Sequence, residues 1–131
     1  AHYWEIEGTV VNNCHKLPQH LFKQRLLNGH EIEDAWRSVL SLLPKNWKII
    51  FTVSPVKYTK VGLEENFISK SILRLGIKSL IKQNSNCFYF PSYEIITDEL
   101  RDYSYFKDNG THPNEVAVEV VFERFKSLLN F

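Results

Sequence analysis

Apolar residues recur at helical spacing through residues 31–43, where Ile32, Ala35, Trp36, Val39, Leu40 and Leu43 share one side until Pro44 interrupts them. This period predicts an amphipathic helix. Residues 47–53 form a near-continuous β-branched and aromatic run closed by Ser54-Pro55, the pattern of a strand buried on both faces in a parallel sheet. Residues 64–83 place Ile68, Ile72, Leu75, Ile77, Leu80 and Ile81 on a wide apolar face, with Lys70, Arg74, Lys78 and Lys82 set apart at four-residue intervals. A long covering helix is expected there. A second short buried strand follows at 87–90, before Pro91. Strand, helix and strand in this order predict a right-handed βαβ crossover, and hence an α/β fold with a partial parallel sheet flanked by helices.

The ends of the chain are less regular. Residues 3–11 alternate loosely about Glu7-Gly8 and predict a short hairpin. Residues 12–27, polar and interrupted by Pro18, read as a long connection with one helical turn. Residues 92–111 are loop-rich with a short helix near 93–100, and a last helix runs over 113–129. Pro113 suits its first position, where an N–H would be unpaired anyway. Val116, Val120, Val121, Phe125 and Leu128 supply its packing face.

Composition narrows the function classes. With 131 residues, 44% of them hydrophobic and 14% aromatic, the chain has apolar material for one core and no disordered signature. Sixteen basic residues against fifteen acidic ones leave a formal charge of +1 without a run of like charges, so no phosphate-binding face and no nucleic-acid partner is expected. The apolar runs fall short of the about 18 to 20 residues that cross a bilayer, and no membrane partner is expected. Cys14 and Cys87 form neither a disulfide framework nor a zinc ligand set, which fits a reducing, cytoplasmic location. Their spacing matches no redox motif, and the five histidines are scattered, so no metal and no cofactor is expected.

Five stretches then stand out in order: Asn13-Cys14-His15-Lys16; Phe51-Thr52-Val53-Ser54-Pro55-Val56; Glu65-Asn66 with Ser69-Lys70; Phe90-Pro91-Ser92-Tyr93-Glu94-Ile95 running into Asp98-Glu99-Leu100-Arg101-Asp102-Tyr103; and residues 108–113. Together they resemble the GSCFA family of SGNH-like hydrolases across almost the whole chain. The resemblance implies a flavodoxin-like α/β sandwich, and an ester or acyl hydrolase acting on a small-molecule or carbohydrate ester. The Gly-Ser-Cys-Phe-Ala motif that names the family and carries its nucleophilic serine does not occur in the sequence. The expectation is therefore that residues 1–131 are the C-terminal part of one hydrolase domain, inactive alone, with the serine upstream. Oligomeric state is not legible.

Such a hydrolase needs a serine, a histidine to take its proton, a carboxylate to orient the histidine and donors for the oxyanion. In the family the last two side chains of the triad lie in a D-x-x-H loop before the final helix. Here the loop reads Asp108-Asn109-Gly110-Thr111-His112-Pro113. His112 matches the family histidine, while Asn109 stands where the aspartate belongs and Asp108 lies one residue further away. Gly110 lets the loop absorb an extra residue so that Asp108 reaches the imidazole, or Asn109 holds the ring without charge. In either case the adjacent helix N-terminus disfavours imidazolium and keeps a neutral base.

The resemblance also implies that Asn13 donates to the oxyanion, with a backbone-satisfying turn asparagine as the alternative. Cys14 beside His15 suggests a thiol nucleophile only weakly, since neighbours in sequence rarely face each other. Ser54 ends a buried strand, where α/β folds place ligand loops. Asn66, with Ser69 and Lys70, reads either as part of that substrate-binding edge or as a capped helix start. Tyr58 stands where family members often carry histidine, and Arg101 between Asp98 and Asp102 is a candidate brace for the catalytic loop or mere surface. Without the carboxylate, a binding module for carbohydrate or protein on the same scaffold is the alternative function.

Overall fold

The structure, a computed structural model, describes residues 2–11 and 16–129. The chain opens with strands β1 (His2–Ile6) and β2 (Thr9–Val10), paired antiparallel as the hairpin expectation has it. Glu7 and Gly8 both take positive φ, 50° and 77°, the pair of values that a two-residue turn needs to follow the twist of its strands. The following stretch corrects the sequence reading. Besides a single 3₁₀ turn at Gln19–Leu21 it holds a strand, β3 (Lys23–Leu26), antiparallel to the other edge of β1. Lys23, Gln24 and Arg25 carry no hydrophobic signal, and backbone pairing with β1 makes the strand. The sheet order is β2-β1-β3.

Helix α1 (Gly29–Leu42) begins at a capping box: Asn28 Oδ1 accepts from Glu31 N at 3.0 Å, and the Glu31 carboxylate accepts from Asn28 N at 2.9 Å. Arg25 closes a two-pronged bond onto the same carboxylate, at 2.6 and 2.9 Å, and so joins β3 to α1. The Arg25 hydrogen bond, then the Asn28 N–H, hold the Glu31 carboxyl below the usual carboxylate range. Helix α2 (Leu63–Gln83) packs against α1 at Gly76, where an added Cβ would meet Ile32 Cγ2 at 3.1 Å. Alanine there forces a small shift of the Ile32 methyl; valine brings two methyls more. We expect Gly76→Val to destabilise the fold by about 1–3 kcal/mol, read as a lower denaturant midpoint at unchanged slope; an unaltered midpoint would contradict the close approach.

The second sheet is parallel: β4 (Ile49–Phe51) lies beside β5 (Cys87–Tyr89), with Ile49 opposite Cys87 and Phe51 opposite Tyr89. The adjacent parallel pair agrees with the sequence expectation, and the architecture is mixed α/β. Leu40, Phe51, Val53, Ile77, Leu80 and Cys87 form the buried core, with the Trp36 ring edge-on to Phe51 at 4.9 Å. Burial pushes the Cys87 thiol pKa up, so it stays a protonated, apolar filler.

The broad apolar face expected for α2 is buried only in part: Ile77 and Leu80 enter the core and Ile81 packs against it, while Ile68 and Leu75 are exposed. Asn66, Ser69, Gly76, Ile77 and Leu80 are buried, while Leu75 is 65% exposed. The inward stripe at 66, 69, 73, 77 and 80 is narrow and includes two polar side chains, Asn66 and Ser69. Arg74, expected in the outward basic row, stacks on the Tyr89 ring at 4.0 Å and faces Glu94 at 3.6 Å.

After β5 the chain enters α3 (Ser92–Glu94), which widens into a π-helical turn over Ile95–Glu99, closed by Leu100 N donating to Ile95 O at 2.8 Å. Helix α4 (Glu115–Leu129) starts later than expected. Its cap is Asn114, whose Oδ1 accepts from Ala117 N at 3.0 Å, and Pro113 precedes the cap rather than opening the helix. Ala117 and Phe125 turn inward, Phe125 meeting Phe90 edge-on at 5.1 Å, whereas Val116 and Leu128 are exposed. Among the described residues no helix is long and apolar enough to cross a membrane.

Candidate functional site

The carboxyl end of β4 is tied to the start of α3 by hydroxyl chemistry. Ser92 Oγ donates to Val53 O at 3.0 Å, which leaves the Thr52 hydroxyl to donate to Ser92 Oγ at 2.5 Å. Beyond Val53 the chain turns through Ser54, whose Oγ accepts from Val56 N at 3.3 Å and whose carbonyl accepts from Lys70 Nζ at 2.7 Å. Asn66 is buried, and its Oδ1 accepts from Tyr58 N at 2.8 Å. It does not cap α2; Gly62 holds the cap position. Asn66 and Lys70 therefore pin the 54–58 loop onto α2. Asn13, Cys14 and His15 lie outside the described residues.

Lys70 is a half-buried cation bonded to the Ser54 carbonyl, and its partial burial lowers its ammonium below the ordinary lysine value. Between the folded and unfolded values the unfolded chain holds the extra proton, so stability rises with pH in that alkaline window. We predict that wild type gains stability relative to Lys70→Met as pH climbs toward the ordinary lysine value. Parallel denaturation curves across that range would refute it.

The histidine loop, residues 107–112, is closed on itself. Phe106 bridges to Pro113, Lys107 N donates to His112 O at 2.8 Å, and Gly110 N donates to Lys107 O at 2.7 Å. Gly110 takes φ of 64°, a left-handed value that residues with a Cβ avoid. Asn109 organises the interior. Its Oδ1 accepts from Thr111 N at 2.9 Å, Thr111 Oγ1 at 2.9 Å and His112 N at 3.2 Å. With the oxygen committed to backbone donors, the amide orientation is fixed, and Nδ2 is left 3.2 Å from His112 Nδ1. Thr111 Oγ1 stands 2.8 Å from the same ring nitrogen.

Of the two alternatives for the ring's partner, the structure brings Asn109 to it. Among the described residues no hydrogen bond or ion pair joins Asp108 to His112, and Asp108 is exposed. The amide N–H beside Nδ1 favours a bare Nδ1 and a ring proton on Nε2. Thr111 Oγ1, whose one proton goes to Asn109 Oδ1, meets Nδ1 as an acceptor and favours Nδ1–H, which leaves Nε2 bare but sets two donors against each other at Asn109. A carboxylate in place of the amide would accept from Nδ1–H and remove that opposition.

The two loops meet. Lys57 N donates to Thr111 O at 3.0 Å, which joins the segment after Ser54 to the histidine loop on the carboxyl side of β4. The Lys57 ammonium lies over the Phe106 and Tyr103 rings, at 4.2 and 4.8 Å. A cleft of about 210 Å³ opens there between Lys57, Ile96, Arg101, Tyr103 and Phe106. Arg101 makes no ion pair with Asp98 or Asp102 among the described residues, and Asp102 instead accepts from Ser104 N at 2.8 Å. Neither Thr111 nor Lys57 was marked by the sequence patterns as a partner of the histidine. An asparagine two residues before a threonine is the signal that a side-chain turn brings them together. No cluster of three or more metal-ligating side chains occurs among the described residues.

No curated protein and no solved structure matches the chain. A family model does: the one described as the GSCFA family matches residues 1–125. That span takes in both sheets, the 54–58 loop and the loop that carries His112, so the chain belongs to the GSCFA family.

Proposed function

We propose that the protein is an ester or acyl hydrolase of the SGNH-like class on a flavodoxin-like sheet, in which this chain supplies the histidine end of the site. The serine nucleophile lies upstream, and the substrate is a small-molecule or carbohydrate ester. One observation carries the reading: His112 is exposed and is held on its Nδ1 side by Asn109 and Thr111, in a loop bonded to the segment after Ser54. With the ring proton on Nδ1, donated to Thr111 Oγ1, the other nitrogen Nε2 is bare and open to a reacting group, as a general base requires. Asn13 remains the proposed oxyanion donor. Ser54 borders the substrate, and Asn66 acts through the loop that it pins.

A fluorophosphonate ester, which bonds only to an activated serine, tests this on the full-length protein. It should label one serine upstream of residue 1, and His112→Ala should abolish labelling. The absence of labelling in the wild type would favour the second reading, a carbohydrate- or protein-binding module. What supports that reading is the Asn109 amide, which offers no negative charge to an imidazolium.

A further inference from the structure

We propose that Asn109 is a self-deamidation site, converted to aspartate or isoaspartate with help from its own loop. The sequence contains two asparagine-glycine steps, Asn28-Gly29 and Asn109-Gly110. In each, the following nitrogen is unshielded by a Cβ and can attack the side-chain amide. Only the second is surrounded by groups that assist. Asn109 Oδ1 takes hydrogen bonds from Thr111 N, Thr111 Oγ1 and His112 N, and negative charge gathers on that oxygen when a nucleophile adds to Cγ. The departing nitrogen, Nδ2, stands 3.2 Å from His112 Nδ1, within reach of proton transfer. At Asn28 the neighbouring groups are those of the helix cap: Oδ1 accepts from Glu31 N, and the adjacent side chain is a carboxylate.

The step balances between the loop and solvent. Gly110 N leaves Lys107 O, loses its proton and bonds to Asn109 Cγ. The Cγ–Nδ2 bond breaks, and the nitrogen departs as ammonia with a proton from His112 Nδ1, while solvent takes the proton lost by Gly110 and returns one to the ring. Water then opens the succinimide. Attack at Cγ yields aspartate, and attack at the main-chain carbonyl yields isoaspartate. Aspartate replaces the N–H donor beside Nδ1 with an acceptor oxygen, so the ring gains the charged partner that it lacks. The catalytic meaning of that exchange rests on the hydrolase reading; the exchange itself does not.

The full-length protein, held for days at neutral pH and physiological temperature, is followed by mass spectrometry of the peptides carrying Asn28 and Asn109. The Asn109 peptide should gain one mass unit several-fold faster than the Asn28 peptide, and faster in the folded protein than in denaturant. Thr111→Val and His112→Ala should each slow it several-fold in the fold. Equal rates at the two sites, or a faster rate at Asn109 in denaturant, would overturn the proposal. Turnover of an activated ester is recorded on the same samples. Turnover that fails to rise as aspartate accumulates counts against the hydrolase reading, while the mass record decides the deamidation.

Discussion

In the full-length protein, His112→Ala is expected to lower kcat for a simple activated ester by about 100-fold or more, since a positioned general base typically contributes 10² to 10⁴. KM should change little, because the ring is held by Asn109 and Thr111 and not by a substrate-binding group. Removing the ring leaves any oxyanion donors in place, so residual turnover above the buffer rate is expected to survive. Turnover in His112→Ala equal to that of wild type would remove the hydrolase reading and leave the binding module as the better account.

The second large effect runs in the opposite direction. Asn109→Asp is expected to raise kcat/KM by about ten-fold or more, since a carboxylate that accepts from Nδ1–H stabilises the imidazolium formed when the serine gives up its proton. The backbone donors Thr111 N and His112 N would still hold Oδ1, and the second oxygen would take the place of Nδ2. The acidic limb of the pH–rate profile should move to higher pH in the same variant, a shift that a purely structural role for Asn109 does not produce. Asp108→Asn, on an exposed side chain with no hydrogen bond to the ring, should alter turnover by no more than about two-fold. A loss of activity in Asp108→Asn with no gain in Asn109→Asp would return the carboxylate role to Asp108.

What the sequence made legible follows the kind of force that fixes each element. Helix α1 and the parallel pair β4 and β5 (Ile49–Phe51, Cys87–Tyr89) rest on local hydrophobic periodicity and appear where the pattern puts them. Strand β3 (Lys23–Leu26) does not, because its stability comes from hydrogen bonds to β1, some twenty residues earlier in the chain, and from the Arg25–Glu31 pair. In α2 the apolar pattern marks Ile77, Leu80 and Ile81 rightly but misplaces Ile68 and Leu75, which are exposed. Asn66 is drawn inward by its hydrogen bond to Tyr58 N, and Gly76 by the approach of Ile32, which composition along a helix does not reveal. The histidine was identified by resemblance, and its partner was left open between Asp108 and Asn109. Charge favours Asp108, whereas the geometry is set by two backbone N–H groups that capture the Asn109 oxygen. Asn13 cannot be placed against the rest, since it lies outside the described residues.

The bonds that set the His112 ring fall within residues 109–112, and Lys57 N to Thr111 O links them to the rest of the domain. Core substitutions far from this cassette therefore act on abundance rather than on turnover. A variant such as Gly76→Val thins the population of folded molecules, while each molecule that does fold keeps its histidine in register and works at the wild-type rate.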